Sequence, residues 1–320
     1  MKFVHHNRPL NGLRYHYVTA GDGPPLLFLH GFPDLWRGWE PVMRYCVEAG
    51  FRVIAPDLRG FGESEAPAQS CTATSFDILG DIIALLDATG CPSAGLVGHD
   101  WGAELAWQFA LLRPDRFTSI AALSVPYVPR GPLSLPAALR SFAPPDLYML
   151  HFLEEGLAER ELDADPETFL RRIFYSNHGM RPGPPPTMRL ASNGSLIDAL
   201  DEPPANFRYA GDCDISYHVQ AFRKTGFAPA LDTYRSLHRS WELMAGWADK
   251  TLTVPALYIG GNKDIVMDFP GMRECVANMT TILPKARTPH VLQDVGHFIQ
   301  MERPKETADL LIDFFAGDGT

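Results

Sequence analysis

Apolar and polar positions in the first 127 residues alternate between two periods. Short apolar runs at 26–29, 52–55, 94–97 and 120–123 read as strands, and helical spacing fills 74–89 and 102–112. Within 102–112, Ala106, Phe109 and Ala110 share one face, the spacing of a packed helix. Strand and helix in repeated alternation predict a mostly parallel α/β sheet.

From about residue 129 the pattern changes. Prolines crowd in at 129, 132, 136, 144 and 145 and again at 182 and 184–186. Helices are predicted near 146–160, 166–176, 213–224 and 229–245, with no strand between them. The polar, proline-rich stretch 178–206 reads as a long irregular loop, of the kind that carries a function or moves. Strands return at 256–259 and 291–292, and a last helix spans 304–316. The expected organisation is a core over 1–128, a helical insertion over 129–245 and the rest of the core over 246–320. No internal repeat is visible.

Composition narrows the classes without choosing among them. The 320 residues are 46% hydrophobic and 21% charged, ordinary for a globular chain. The formal charge is −10, so no basic footprint for nucleic acid or an anionic membrane is expected. No apolar run approaches the roughly 20 residues of a membrane span. The five cysteines, Cys46, Cys71, Cys91, Cys213 and Cys275, are scattered and form no C-x-x-C pair. That favours reduced thiols over a disulfide frame or a zinc ribbon. The beginning has no signal-peptide pattern and the end no peroxisomal signal, so the expected compartment is the cytoplasm.

Chemistry enters with Gly98-His99-Asp100-Trp101-Gly102, placed between an apolar strand and a helix. Small residues on both sides permit a strained strand-to-helix turn that thrusts the middle residue out at the sheet edge. That residue is Asp100, which also suits an ordinary helix cap. His30-Gly31-Phe32-Pro33 ends a strand in a glycine turn and can form half of an oxyanion hole. Asp264, in Asn262-Lys263-Asp264, and His297, in Gly296-His297-Phe298, each follow later strands. Nucleophile, acid and histidine in that chain order is the α/β-hydrolase order.

With Asp57-Leu58-Arg59-Gly60-Phe61-Gly62-Glu63-Ser64 added, the chain resembles the epoxide hydrolase branch of the α/β-hydrolase superfamily over nearly its whole length. The resemblance implies an α/β-hydrolase fold: a mostly parallel eight-stranded sheet, helices on both faces, and a helical cap inserted after the sixth strand. It also implies two cap tyrosines aimed at the nucleophile. The segment 146–156 resembles the first tyrosine helix and puts Tyr148 in place; 231–235 resembles the second and puts Tyr234 in place. Departures from the family pattern at Met149, Ala103 and the 178–206 loop concern substrate shape.

An aspartate nucleophile suits attack on saturated carbon, whereas serine suits acyl transfer. An ester would form on Asp100, and His297, oriented by Asp264, would activate water to hydrolyse it. The backbone N–H groups of Phe32 and Trp101 would stabilise the oxyanion, and Tyr148 and Tyr234 would protonate the epoxide oxygen. Phe32, Trp101, Met149 and Phe152 are the expected substrate contacts, within an apolar set that includes Phe142, Leu147 and Met188. The expected partners are a small apolar epoxide and water, with the chain a monomer or homodimer. No cofactor motif is present, and His5-His6 lacks a third metal ligand. His30 and His99 are expected to support turns, His151 to face the cavity or the core, and Glu154 and Glu155 to face solvent. A haloalkane or haloacid dehalogenase using the same aspartate, and a non-catalytic binding protein of this fold, are the alternatives. Phe32 and Trp101 stand where dehalogenases tend to carry other residues.

Overall fold

A computed structural model describes residues 1–67, 73–209 and 214–317. Cys71 and Cys213 lie outside the described residues. Among the described residues eight strands form one sheet: β1 (Val4–Leu10), β2 (Leu13–Ala20), β3 (Pro25–Leu29), β4 (Arg52–Pro56), β5 (Ala94–His99), β6 (Phe117–Leu123), β7 (Ala256–Gly261) and β8 (His290–Leu292). Their order is β1-β2-β4-β3-β5-β6-β7-β8. The β1–β2 and β2–β4 pairs are antiparallel and the others parallel.

Apolar runs such as β5 are continuous because both faces of the sheet are covered. Alternate residues go to opposite sides. Leu27, Ile54, Leu96 and Ile120 pack into one core, while Phe28, Val53, Val97 and Ala121 pack into the other. The first core is covered by α2 (Ser75–Ala88) and α3 (Trp101–Leu112), the second by α1 (Glu40–Glu48) and the C-terminal helix Pro304–Gly317. Thr74 and Asp77 close a capping box that starts α2.

Between β6 and β7 the chain forms α4 (Leu135–Phe142), α5 (Tyr148–Leu153), α6 (Leu157–Leu162), α7 (Pro166–Ser176), α8 (Ser216–Thr225), α9 (Ala228–Arg235) and α10 (Leu237–Leu243). The helix expected over 146–160 is two helices, because Gly156 adopts a left-handed φ of 77° between them. The helix expected over 229–245 likewise divides at Ser236. After β7 come α11 (Met272–Ala277), α12 (Met279–Ile282), α13 (Ile299–Glu302) and α14, the C-terminal helix named above.

The 178–206 stretch is irregular, as expected, but it is tied down. Leu190 N–H donates to the Asp146 carbonyl at 2.8 Å, and Tyr148 N–H donates to the Met188 carbonyl at 3.0 Å. The Glu161 carboxylate accepts the N–H groups of Leu196 and Ile197. The insertion is also joined to the sheet by a buried polar contact, His218 Nε2 to Asp34 Oδ1 at 2.8 Å. Among the described residues no helix is long and apolar enough to cross a membrane.

Candidate active site

Asp100 occupies the turn between β5 and α3 with φ 54° and ψ −120°. This is strained backbone for a non-glycine residue. The flanking glycines make it possible: a Cβ on Gly98 would lie 2.1 Å from the Gly102 carbonyl oxygen, and one on Gly102 would lie 2.1 Å from that of Leu29. The carboxylate is thereby presented at the C-terminal ends of the parallel strands, where open α/β sheets form their crevice. Phe32 N–H donates to Asp100 Oδ1 at 2.9 Å. Trp101 opens α3, so its N–H is among those without an intrahelical acceptor.

His297 follows β8 and faces two carboxylates. Its Nε2 is 3.6 Å from Asp100 Oδ2, and its Nδ1 is 3.0 Å from Asp264 Oδ1. Asp264 follows β7, is fully buried, and is held by the Val266 N–H at 2.9 Å. The Asp264 carboxylate requires the proton on Nδ1, which leaves Nε2 to face Asp100. Burial alone would lower the imidazole pKa. Asp264 and Asp100 outweigh it and raise His297 to about 10. Burial likewise pushes Asp100 up, but the neighbouring His297 and the Phe32 N–H hold it below the ordinary aspartate range.

The structure brings both expected tyrosines to this group. Tyr148 begins α5 and Tyr234 lies near the end of α9. Burial raises both phenols above their ordinary value; for Tyr148 the charge of Asp100 comes next, and for Tyr234 the neighbouring Tyr148 and then Asp100. Both are therefore neutral donors. Phe152 connects them, its ring 5.2 Å from Tyr148 and 5.1 Å from Tyr234. The Trp101 and Tyr234 rings meet edge to face at 4.8 Å.

The expected substrate contacts divide. Phe32 is buried among Phe152, Phe169, Phe222, Phe227 and Tyr234. Phe152 is 1% exposed, while Trp101 and Met149 are half-buried and packed against the core. Leu147 and Met188 are also buried. Phe142 is not part of this wall. It ends α4 and is 80% exposed, because the helix turns it outward from the insertion.

The remaining histidines serve turns and packing. His30 Nε2 accepts the Leu58 N–H at 3.0 Å, and His99 Nε2 donates to the His297 carbonyl at 2.8 Å. His151 is half-buried, 4.0 Å from Glu161. Its pKa is lowered, first by burial. His5 pairs with His16 and His6 with Thr19 on the β1–β2 hairpin. Glu154 and Glu155 are exposed.

One residue in direct contact with the histidine was not anticipated. Ser124 Oγ lies 2.9 Å from His297 Nδ1, beside the Asp264 contact. Ser124 follows β6 with a left-handed φ of 73°. Its carbonyl accepts the Tyr258 hydroxyl at 2.8 Å, and its N–H donates to the Ile259 carbonyl at 2.9 Å. A lone serine after a strand carries no motif; the available signal was its place at the end of a parallel strand.

The family described as the alpha/beta hydrolase fold matches residues 24–304. Epoxide hydrolase 2 of Siraitia grosvenorii is 37% identical over 98% of this chain and 98% of its own. The crystal structure of epoxide hydrolase A from Mycobacterium thermoresistibile is 36% identical with a TM-score of 0.88, covering 99% of both chains. Potato (Solanum tuberosum) epoxide hydrolase I is 31% identical with a TM-score of 0.90, covering 99% of this chain and 100% of its own. The elbow aspartate, its histidine and acid, and the two phenols therefore stand in a chain that belongs to the epoxide hydrolase branch of the α/β-hydrolase fold family.

Proposed function

We propose that this epoxide hydrolase opens a small apolar epoxide to a vicinal diol through an alkyl ester on Asp100. The observation that carries the mechanism is the shared position of Asp100: an N–H on one oxygen, His297 opposite the other, and two neutral phenols within reach of its charge. Asp100 attacks a ring carbon, the C–O bond breaks, and Tyr148 and Tyr234 protonate the alkoxide.

Esterification removes one of the two charges that raise His297. Its affinity for a proton falls, and the proton that it releases restores the phenol. The neutral imidazole then takes a proton from water, and the hydroxide attacks the ester carbonyl. The N–H groups of Phe32 and Trp101 stabilise the tetrahedral oxyanion. On collapse the proton of the added hydroxyl passes to the departing alkoxide, which leaves as the diol, and the Asp100 carboxylate and protonated His297 are regenerated, so the protons balance. Asp264 keeps the imidazole in the required tautomer.

The segment 129–245 acts as the cap that supplies both phenols, over a core of 1–128 and 246–320. Phe32, Trp101, Met149 and Phe152 form the apolar substrate contacts. A cytoplasmic setting belongs to the same reading, supported by the free thiols Cys46, Cys91 and Cys275.

Turnover of styrene oxide in oxygen-18 water tests the mechanism. Repeated cycles should place heavy oxygen in the Asp100 carboxylate, read by peptide mass spectrometry. An active enzyme with no label in that peptide would exclude the ester. A 1-haloalkane serves as the control and should not be turned over.

A further inference from the structure

Glu302 lies outside the reacting groups, and its carboxylate holds two separate pieces of chain together. Its side chain has no exposed surface. Oε2 accepts the Gly179 N–H at 2.8 Å, and both oxygens accept the Gly296 N–H, at 3.1 and 3.0 Å. Gly296 immediately precedes His297, whereas Gly179 belongs to the helical insertion. The same junction is tied at two further points. His297 N–H donates to the Asn177 carbonyl at 2.8 Å, and Lys263 Nζ donates to the Gly179 carbonyl at 3.0 Å. The approach is close enough to require glycine. A Cβ on Gly296 would lie 2.1 Å from the Asn177 carbonyl oxygen and 2.9 Å from Glu302 Oε1.

The charged and titratable groups around this carboxylate are few. His178 Nδ1 is 3.5 Å away, Arg303 follows in the chain, and Asp264 acts from the neighbouring loop. Burial pushes Glu302 up to about 7 against the pull of the Gly296 and Gly179 amides. No reacting atom is touched, so a direct chemical role is excluded by position.

We propose that Glu302 is a positioning residue for the ester-hydrolysis step: one buried carboxylate holds the Gly296 and Gly179 amides and so fixes the His297 backbone against the insertion. The inference rests on His297 acting as the base of that step. A glutamine retains the shape but loses the charge, and its NH2 group replaces the oxygen that faces the Gly296 N–H at 3.1 Å, so a donor meets a donor.

The test follows both half-reactions of Glu302→Gln by rapid-quench mass spectrometry with styrene oxide. Ester formation on Asp100 should stay within about twofold of wild type, because Phe32 and the phenols are untouched. Ester hydrolysis should slow about tenfold, the scale of one lost charge-assisted hydrogen bond. Glu302→Asp, which keeps the charge with a shorter reach, should recover part of the hydrolysis rate. Equal slowing of both steps, or an unchanged hydrolysis rate, overturns the assignment. If the glutamine variant does not fold, Glu302→Asp carries the same test, with selective slowing of hydrolysis expected and unselective slowing overturning the assignment. His297→Gln run in parallel reports on the base reading separately: an ester that accumulates and persists there supports it, and a folded His297→Gln that hydrolyses the ester at the wild-type rate overturns both readings.

Discussion

His297 Nε2 stands 3.6 Å from Asp100 Oδ2, on the opposite side of the ring from Asp264. At that separation the two groups attract as an ion pair with little direct hydrogen bonding. One imidazole thus answers to two carboxylates, and in the proposed mechanism only Asp100 loses its charge, while the ester lasts. The first expectation concerns that dependence. His297→Gln should still be alkylated, because attack needs only Asp100 and the phenols. Hydrolysis should fall by about 10²–10⁴-fold, the usual contribution of general base catalysis. Intact-protein mass spectrometry should show one added substrate mass; a folded variant that stays unmodified in excess epoxide would place His297 in the first step.

Tyr148→Phe and Tyr234→Phe should each slow ester formation by up to about 10²-fold, as losing one of two donors to a developing oxyanion does. The double variant should nearly abolish it, since no acid is left for the alkoxide. Hydrolysis of a formed ester should change little. Stopped-flow tryptophan fluorescence separates the steps, because Trp101 adjoins Asp100 and touches the Tyr234 ring. Unchanged alkylation in the double variant would remove both phenols from the mechanism.

Ser124→Ala takes away one of the two acceptors near His297 Nδ1 and leaves Asp264 in place. Ester hydrolysis should slow about threefold to tenfold, and stability should fall by about 1 kcal/mol. Single-turnover decay of the ester and denaturant unfolding measure the two effects.

Stability should also follow the titration of His297. Its folded pKa of about 10 lies above the ordinary 6.5. A raised pKa means that the folded state binds the proton more tightly. The contribution is therefore complete below about pH 6.5 and is lost as pH rises through about 10. Unfolding free energies of the wild type should decline across that window, and His297→Gln should decline less. Parallel curves would show that another group controls the slope.

Most of the candidate site is legible in the sequence because its residues sit on strand ends with their own local punctuation. Asp100 lies between two glycines that the turn requires, and His297 follows a glycine after a short apolar run. The two tyrosines came from resemblance, since a tyrosine on a cap helix has no spacing that distinguishes it from a packing residue. Ser124 and Glu302 stayed hidden because their roles depend on chain segments far away in sequence. The β1–β2 hairpin was also missed. Its Asn11-Gly12 turn is a hairpin signal, but β1 is a mostly exposed edge strand and shows no apolar alternation. The helix α4 was obscured by surrounding prolines, although Pro136 sits in its first turn, where the missing N–H does no harm. Phe142 was misplaced because an apolar residue on a short helix does not announce which side is covered.

The contact between Asp34 and His218 bears on how firmly the insertion is held. Both side chains are fully buried, one beside the sheet and one on the insertion. Swinging the insertion away as a hinged flap would sever that contact, together with the hydrogen bonds from the His297 N–H to the Asn177 carbonyl and from the Gly179 N–H to Glu302. Lifting it would leave those buried polar groups without partners, at a cost of about 1–3 kcal/mol for each neutral group and more for the charged ones.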